Sequence, residues 1–452
     1  MSKRAAVKKS HSERHINRKL MAIPLVALIV KLLLLPSIPN NAWIGADGEN
    51  YVGALEGLLK DGYFSENTLL SYWPAGYPML MYVFGSISRT NTLVIMAVLQ
   101  SMFYAFACLL FVRQIVKTKL AKFAFWIAAI LALNPTLSLS SMVIGYEIIP
   151  ASIFLIALSL FIRDYQSNSK NLLSKNSVIS AALMSVSCYV QPRFLLTAGI
   201  FFLLWAFFTK TKKMVPLFLI ITVSITALLP ISLALRNSNA NGYTAISTNL
   251  GVTMNLGAGS EASGKYDPNG KYGVPCGPKE GNAAEKDSHL VGCVLSWYVK
   301  NPSESVPLLI RKAKYFWAPW FGPEVAGSMN RNPWMQNHPF KSLATNSSEG
   351  NKLVYGAFGK FVSWLWMAGG LFFIFLGAWR MWKADGLVRL IGIFSVMIVI
   401  TNWAISVGTL GDHRQRLPIM TLSLLLQCVG LLSIFGKKWK IPNDESKKVV
   451  SK

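Results

Sequence analysis

The sequence predicts an all-α polytopic membrane protein with about ten transmembrane helices and two extracytoplasmic loops, the larger one α-containing and loop-rich. Three observations support this fold class. Of the 452 residues, 52% are hydrophobic and only 14% are charged, whereas a soluble chain usually carries about a quarter charged residues. Apolar windows of about 20 residues recur along the chain, and this is the length that crosses a bilayer. Short basic clusters separate many of these windows, as the positive-inside bias requires.

The net charge is +25, from 45 basic and 20 acidic residues. On a soluble domain this charge would suggest nucleic-acid binding. Many of the basic side chains instead stand between apolar windows, and no basic-aromatic soluble module is visible. We therefore expect these basic residues to interact with the lipid bilayer and expect no nucleic-acid partner.

The predicted spans begin near residues 20, 91, 123, 146, 177, 194, 214, 356, 387 and 417. They divide the chain into a basic cytoplasmic tail (1–19), an N-terminal transmembrane region (20–235) with a first outer loop (40–88), a large extracytoplasmic loop (236–355), a C-terminal transmembrane region (356–436) and a second basic cytoplasmic tail (437–452). The first span lacks a small-residue cleavage site, so we expect it to remain as a signal anchor. An even number of spans then leaves both termini in the cytoplasm.

The first outer loop begins with a candidate site carboxylate, Asp47, at the membrane–water boundary. After it, Tyr51, Ala54, Leu55 and Leu58 recur at helical spacing, which predicts an amphipathic helix along the surface. A carboxylate held there could accept a proton from a hydroxyl acceptor while a lipid-borne donor approaches from the bilayer. The alternative is that Asp47 caps this helix, since aspartate is a preferred N-cap residue.

The five cysteines fall into two groups. Cys276 and Cys293 lie in the large outer loop, whereas Cys108, Cys188 and Cys428 lie in apolar spans and are interpreted as small buried hydrophobic residues. On the oxidising side of a membrane, the loop pair predicts a disulfide. Two unpaired thiols too far apart to bridge are the alternative. The ligand spacing fits no standard zinc pattern, so no metal site is predicted in this loop.

Three short motifs occur in order on the predicted outer face. The first is Asp47 with its short helix, Gly62 and the WPAGYP stretch at residues 73–78. The second runs from Asn249-Leu250-Gly251 to Gly264-Lys265-Tyr266, and the third is the DHRQRLPI stretch at residues 412–419. Together they resemble motifs of the GT-C superfamily of membrane glycosyltransferases, and most closely the protein O-mannosyltransferase and lipid A aminoarabinose transferase group. The resemblance extends loosely over residues 20–435.

The resemblance implies an enzyme that moves a sugar from a polyprenyl-phosphate-linked donor to an acceptor on the extracytoplasmic face, with inversion. Asp47 matches the aspartate of the family's first loop and would act as general base or orient the acceptor. The family more commonly has an Asp-Glu pair there, whereas Gly48 follows Asp47 in this chain. Glu49 is then the second candidate catalytic residue, although residues two apart on a helix point to different faces. The sequence does not identify a cofactor. Asp47 and Glu49 could hold a divalent metal ion through water, but two carboxylates alone are a weak metal-binding pattern.

The implied donor is a phosphodiester, which needs cations where charge builds on the leaving phosphate, and arginine suits this role. The candidate phosphate-binding residues are Arg193, Arg236, Arg414 and Arg416, all at predicted outer ends of spans. Each could instead be a cation that anchors its span at the interface. Glu147 is a further candidate site carboxylate, because a charge at that depth is costly. Helix-start capping is its alternative.

Two other classes of function stay open at the level of the sequence. A transporter or lipid flippase usually has paired, broken spans in two related halves, which are not visible here. An O-antigen-type ligase or polymerase also uses arginines on the outer face, but the acidic helix of the first loop argues against it. The expected partners are the donor lipid and a glycan, lipid or protein acceptor. A bacterial inner membrane or plasma membrane is favoured over the endoplasmic reticulum.

Overall fold

The computed structural model describes residues 19–38, 43–44, 47–167, 172–208, 212–265, 273–318, 357–384 and 386–435. Most of the two predicted tails, and residues 319–355 of the predicted large loop, lie outside the described residues. Within the described ranges the chain is helical, apart from connecting segments and one pair of two-residue strands.

The described α-helices, in chain order, are α1 (Lys19–Ser37), α2 (Gly48–Asp61), α3 (Leu69–Tyr72), α4 (Gly76–Gly85), α5 (Thr92–Ile115), α6 (Ala124–Leu133), α7 (Pro135–Leu139), α8 (Ile148–Gln166), α9 (Lys175–Val190), α10 (Phe194–Phe208), α11 (Val215–Asn241), α12 (Leu250–Leu256), α13 (Ala283–Lys300), α14 (Pro302–Phe316), α15 (Ala357–Lys383), α16 (Leu387–Gly408) and α17 (Met420–Leu432). The strands are β1 (Trp43–Ile44) and β2 (Val143–Ile144). Short 3-10 turns connect several of these elements, among them Ser140–Met142 before β2 and His413–Ile419 before α17.

Seven helices of the described chain are long and apolar enough to cross a membrane, and a bent pair raises the number to eight. The seven are α1, α5, α8, α11, α15, α16 and the segment His413–Leu432 that ends with α17, and the bent pair joins α6 to α7 at 49°. All ten predicted spans begin close to a described helix. However, α9 and α10 have only 16 and 15 residues, so the predicted count of about ten is not confirmed. The apolar helices are consistent with a multi-pass membrane protein.

The helices α8 and α17 form the centre of the bundle. In both spans 83% of the apolar window is buried within the protein, against 28% for α1 and 11% for α15. The helix α8 packs against α5 and α9, and α17 packs against α15, α16 and α6. The spans α1, α11 and α15 carry many exposed large apolar side chains. This is the surface that lipid tails would cover.

The first outer segment forms the predicted amphipathic helix, α2. The four residues whose spacing predicted it, Tyr51, Ala54, Leu55 and Leu58, are all buried, and α2 packs against α4. Full burial of a large apolar side chain contributes about 1.5–3 kcal/mol. This face therefore holds the helix against the bundle, while Glu49 on the opposite side is exposed.

The WPAGYP motif packs tightly against the end of α9. A Cβ atom on Gly76 would collide with the carbonyl oxygen of Tyr189, so only glycine permits this close approach. The contact ties the first outer segment to the point where α9 ends. Arg193 follows directly, in the short break between α9 and α10.

The described part of the large loop contains α12, α13 and α14. A disulfide joins Cys276 to Cys293 and ties the segment before α13 to that helix. At the start of α13, Asn282 and Glu285 form a capping box, which satisfies backbone N–H groups that the helix leaves unpaired. The helix α14 packs against α16, so this part of the loop lies over the end of a C-terminal span.

Candidate functional site

Two of the predicted carboxylates and one of the predicted arginines meet in one ion-pair cluster. Arg414 Nη2 lies 2.6 Å from Asp47 Oδ2, and Arg414 Nε donates a 2.6 Å hydrogen bond to Glu147 Oε1. The side chains of Asp47, Arg414 and Glu147 are 15%, 14% and 8% exposed. The cluster is therefore shielded from bulk solvent without being closed. A planar guanidinium that engages two carboxylates through different nitrogens fixes the orientation of both.

Neither carboxylate caps the helix that it precedes. Asp47 is the N-cap residue of α2 and Glu147 that of α8, but neither side chain makes a capping hydrogen bond. The capping alternative, which stayed open from the sequence, therefore does not hold for either residue. Both side chains turn to Arg414 instead.

A parallel strand pair brings the two carboxylates together. The strands β1 and β2 pair in register, with Ile44 opposite Ile144. Asp47 follows β1 by three residues, and Glu147 follows β2 by three residues. The register therefore places the two acidic residues at equivalent positions, although they are a hundred residues apart in the chain.

Steric contacts explain why a glycine, Gly48, follows Asp47. A Cβ atom on Gly48 would lie 2.8 Å from Ile44 Cγ2 and 3.1 Å from the carbonyl oxygen of Ile144. A side chain at this position would therefore collide with residues of both strands. The second carboxylate of the cluster is therefore not a neighbour of Asp47 in the first loop but Glu147 from the other strand.

Tyr77 of the WPAGYP motif supports the segment that carries Glu147. Its hydroxyl group donates to Gln100 Oε1 at 3.2 Å and accepts from the backbone N–H of Gly145 at 2.9 Å. Gln100 Nε2 in turn donates to the carbonyl oxygen of Val143 at 3.0 Å. These buried hydrogen bonds satisfy and hold the irregular backbone before α8.

Arg193 lies beside the cluster and has unsatisfied donors. Its guanidinium carbon and that of Arg414 each lie 5.9 Å from the centroid of the Tyr146 ring. Nε and Nη2 of Arg193 are buried and have no hydrogen-bond partner among the described residues. Burial lowers the pKa of this guanidinium, and Arg414 adds to the effect, while Tyr146 and Glu147 oppose it. Because buried donors are rarely left unpaired, the arrangement suits an anion bound next to Arg193.

The second and third motifs are also in contact. The backbone N–H of Gly411 donates a 3.0 Å hydrogen bond to the carbonyl oxygen of Gly264. Lys265 lies close enough to His413 for the two side chains to interact electrostatically. The third motif also contains Arg414, which forms an ion pair with Asp47 of the first motif. All three motifs therefore meet around the start of the last span.

Arg416 makes a different set of contacts. Its Nη1 and Nη2 donate hydrogen bonds of 3.2 Å to the carbonyl oxygens of Phe316 and Ala318, where α14 ends. A cation at a helix C-terminus is favourable, so Arg416 attaches the large loop to the last span. It also lines a cavity of about 310 Å³ between α6, α15 and α17, whose walls include Trp317 and Trp366.

The other two predicted site residues do not take part in these contacts. The guanidinium of Arg236 is buried and donates to the carbonyl oxygens of Tyr63 and Ser65 and to Asn237 Oδ1. It thereby ties α11 to the segment after α2. Glu49 is exposed on α2. Phosphate contact by Arg236 and a catalytic role for Glu49 stay predictions.

Metal binding has no obvious ligand set in this region. Across the described ranges, no group of three or more His, Cys, Asp or Glu side chains could hold a metal ion. At the cluster itself, the guanidinium of Arg414 is the cation that Asp47 and Glu147 share. The site is therefore built on hydrogen-bonded ion pairs.

Lys312 of α14 is buried where the large loop meets the end of α16. Its Nζ donates to the hydroxyl oxygen of Tyr298 at 2.6 Å and to the carbonyl oxygen of Thr409 at 2.5 Å. A Cβ atom on Gly411 would lie 2.5 Å from the Cα atom of Lys312, so the two backbones are in close contact. Burial lowers the pKa of Lys312 to about 7. The residue therefore holds the loop against the segment that leads into Arg414.

We expect Lys312 to make the free energy of unfolding depend on pH between about 7 and 10.5. The unfolded chain keeps the ordinary pKa of 10.5, so in this window it binds more protons than the folded protein, and stability rises with pH. The slope is at most about 1.4 kcal/mol per pH unit, and it vanishes below about pH 7. Thermal unfolding midpoints of the wild type and Lys312→Met in detergent, compared at about pH 7 and about pH 9, check this. Equal pH slopes in the two proteins would contradict it.

Several residues of the site carried little or no signal in the sequence. Tyr146 and Tyr77 are marked only by their places beside Glu147 and inside the WPAGYP motif. Gln100 is a polar residue in an apolar span, which is a usable signal because such residues are costly in a membrane. The surrounding sequence does not distinguish Arg414 from Arg416, although the two side chains make different contacts.

Comparisons with known proteins returned solved structures only. No family model matches the chain, and no curated protein matches it. The fold is similar to that of the Archaeoglobus fulgidus oligosaccharyltransferase tethered with an acceptor peptide, at 13% identity and a TM-score of 0.47, covering 94% of this chain and 52% of that one. The apo form gives 14% identity, a TM-score of 0.46 and coverage of 92% and 51%.

A third structure is the archaeal oligosaccharyltransferase AglB from the same organism, in complex with an inhibitory peptide and a dolichol-phosphate. It gives 14% identity, a TM-score of 0.45 and coverage of 92% of this chain and 50% of that one. The chain thus spans about half the length of the oligosaccharyltransferases that it matches. At these identities, and with TM-scores of 0.45–0.47, no residue role is carried over from these proteins.

Proposed function

We propose that this chain is a membrane glycosyltransferase that moves a sugar from a polyprenyl-phosphate-linked donor to an acceptor on the extracytoplasmic face. The observation that carries the proposal is the meeting of Asp47 and Glu147 on Arg414, directly beside Arg193. The site therefore offers carboxylates for proton transfer next to a cation, Arg193, whose buried Nε and Nη2 have no partner among the described residues. These are the two requirements for displacing a phosphate from a sugar.

Asp47 acts in this proposal as the general base or as the carboxylate that orients the acceptor. The acceptor oxygen attacks the anomeric carbon of the sugar and passes its proton to Asp47, while the bond from that carbon to the phosphate oxygen breaks. Attack from the face opposite the leaving phosphate inverts the anomeric configuration. The phosphate departs as an anion, so the site must supply positive charge to it rather than a proton.

Arg193 is the residue that we assign to the donor phosphate. Arg414 already shares its charge between two carboxylates, so its main effect is to hold Asp47 and Glu147 in place. Arg193, in contrast, has buried donors without a partner among the described residues. A guanidinium can bind two phosphate oxygens at once and stays charged in surroundings of low dielectric.

The polyprenyl chain of the donor is assigned to the cavity beside Arg416. The cavity measures about 310 Å³, and most of its lining is apolar or aromatic, including Met367, Leu371 and Leu424. One of its walls is α15, the span with the smallest buried share, so the cavity lies next to a helix that faces lipid. An apolar tail could therefore enter from the bilayer while its phosphate stays near the arginines.

The extracytoplasmic location is supported by the large loop. The disulfide between Cys276 and Cys293 belongs to an oxidising compartment. The same loop contacts Gly411, the residue before the third motif, through Gly264, and it contacts the last span through Arg416. We therefore propose that the site lies on the side of the membrane on which this loop lies. The basic tails predict that both chain termini lie on the other side.

We expect Asp47→Asn to lower sugar transfer by about a hundred-fold or more, because a base is worth about 10²–10⁴ in rate. Asparagine keeps the size of the side chain and an oxygen that can accept from Arg414, so the fold should be retained. The measurement is the release of polyprenyl phosphate from a labelled polyprenyl-phosphate sugar, by purified protein with membrane extract as the source of acceptor.

The matched control for this substitution is Glu56→Gln, on the same helix but exposed. Its transfer rate should stay within about three-fold of the wild type. Near wild-type transfer by Asp47→Asn would remove Asp47 from the mechanism. Movement of labelled lipid across the bilayer by protein that transfers no sugar would instead favour the transporter or lipid flippase alternative.

A further inference from the structure

Lys31 is a buried lysine in the middle of the first membrane span. Its side chain is 3% exposed, although only 28% of the apolar window of α1 is buried. Burying a lysine at membrane depth is costly, so such residues usually have a function. Snorkelling to the interface does not describe Lys31, because its amine points into the protein and has specific partners there.

The amine of Lys31 binds the broken span that leads to Glu147. Nζ donates to Ser141 Oγ at 2.9 Å and approaches the carbonyl oxygen of Ser138 at 3.5 Å. It also lies 5.3 Å from the centroid of the Tyr104 ring. Ser138 belongs to the last turn of α7, and a cation is favourable at such a helix end, where carbonyl groups lack partners.

The hydrogen bonds continue from Lys31 towards the site. Ser141 Oγ is within 3.0 Å of Ser101 Oγ, and Gln100 Nε2 donates to the carbonyl oxygen of Val143 at 3.0 Å. Gln100 also accepts from Tyr77, whose hydroxyl group accepts from the backbone of Gly145. The whole irregular segment from residue 138 to residue 145 is therefore held by side chains of α1, α4 and α5.

This segment contains only very short elements of regular structure, which are not enough to hold it in place. It passes from the 3-10 turn Ser140–Met142 into the two-residue strand β2 and then into the start of α8. A non-helical backbone at membrane depth is tolerated only where protein groups satisfy it. The register of β2 on β1 sets the position of Glu147 relative to Asp47, so a shift of this segment would displace Glu147 from Arg414.

We propose that Lys31 is a positioning residue for Glu147. Its buried ammonium group fixes the break between α7 and α8, and through that break it fixes the carboxylate that binds Arg414. The proposal rests on the proposed function only where transfer activity is its readout. The placement of the segment itself can be measured without any activity.

The first experiment is amide hydrogen exchange by mass spectrometry on the full-length protein in nanodiscs. In Lys31→Met, exchange of peptides that cover residues 138–147 should become at least about ten-fold faster than in the wild type. Ser159→Ala is the matched control, because Ser159 is buried in α8 and its Oγ donates to Leu155 of its own helix. That control should leave exchange of residues 138–147 unchanged.

The second experiment separates positioning from a general loss of stability. Lys31→Met should lower kcat about ten-fold or more and leave the KM for the lipid-linked donor within about three-fold. In a Glu147→Gln background the same substitution should have almost no further effect, because residues that act through one another are not additive. Lys31→Arg, which keeps the charge and donors, should restore part of kcat.

If Lys31→Met does not fold, Ser141→Ala tests the same link, because it keeps the lysine and removes its nearest acceptor. Unchanged exchange at residues 138–147 in a folded variant would overturn the proposal, and so would faster exchange spread evenly over all spans. Equal losses of kcat with and without Glu147→Gln would also overturn it. A third outcome separates the two proposals. If exchange in Lys31→Met is faster only at residues 138–147 and the wild type transfers no sugar, Lys31 keeps its positioning role and the proposed function is rejected.

Discussion

Arg414→Gln should lower sugar transfer by about a thousand-fold or more, to near the background rate. The substitution leaves two largely buried carboxylates, Asp47 and Glu147, side by side without the cation that they share. Removing one partner from a buried ion pair costs about 3–5 kcal/mol. The two carboxylates would then repel each other and leave the positions that the strand register gives them. Both the protein's stability and the geometry of the base should therefore suffer.

Two further variants define this expectation for Arg414. Arg414→Lys keeps the charge but cannot reach both carboxylates with a fixed fork, so we expect an intermediate loss of about 10–100-fold. Arg380→Gln removes an exposed arginine near the end of α15 and should leave the transfer rate within about two-fold. The measurement is donor turnover, normalised to folded protein by size-exclusion chromatography. More than about a tenth of the wild-type rate in folded Arg414→Gln would contradict a central role for this residue.

Arg193→Met should lower kcat/KM for the lipid-linked donor by about a hundred-fold or more, while the thermal unfolding midpoint stays equal or rises. The loss of activity follows because the leaving phosphate would lose its main cation. The gain in stability follows because Nε and Nη2 of Arg193 are buried without a partner among the described residues, and each unsatisfied buried donor costs about 1–3 kcal/mol. Residues kept for function often reduce stability in this way.

The matched control for Arg193 is Arg236→Met, where the opposite pattern is expected. The guanidinium of Arg236 is satisfied by Tyr63, Ser65 and Asn237, so its removal leaves carbonyl groups unpaired and should lower the unfolding midpoint. Turnover per folded protein should change little. A large loss of donor affinity in Arg236→Met, with stability retained, would restore Arg236 as a phosphate ligand. Unchanged donor kinetics in Arg193→Met would remove Arg193 from that role.

Local sequence patterns determined several features of this protein. The apolar windows mark the helices, because crossing a bilayer requires a fixed length of apolar chain. The spacing of Tyr51, Ala54, Leu55 and Leu58 predicts α2, because the helical period is a local property. The segregation of Cys276 and Cys293 from the other cysteines predicts a loop disulfide. The candidate site residues were also visible, since charged groups at span ends are few.

Only the tertiary structure decided what those residues contact. Asp47 and Glu147 each looked equally suited to capping a helix, and a partner for both, Arg414, lies 267 residues after Glu147 in the chain. The register of two short strands brings them together, and two residues per strand are too few for any pattern to predict. The different roles assigned to the arginines also depend on tertiary contacts. Arg416 and Arg236 bind backbone carbonyl oxygens, whereas two buried donors of Arg193 have no partner in the described part of the chain. Sequence spacing shows which charges are near the membrane surface, but their partners depend on packing between distant segments.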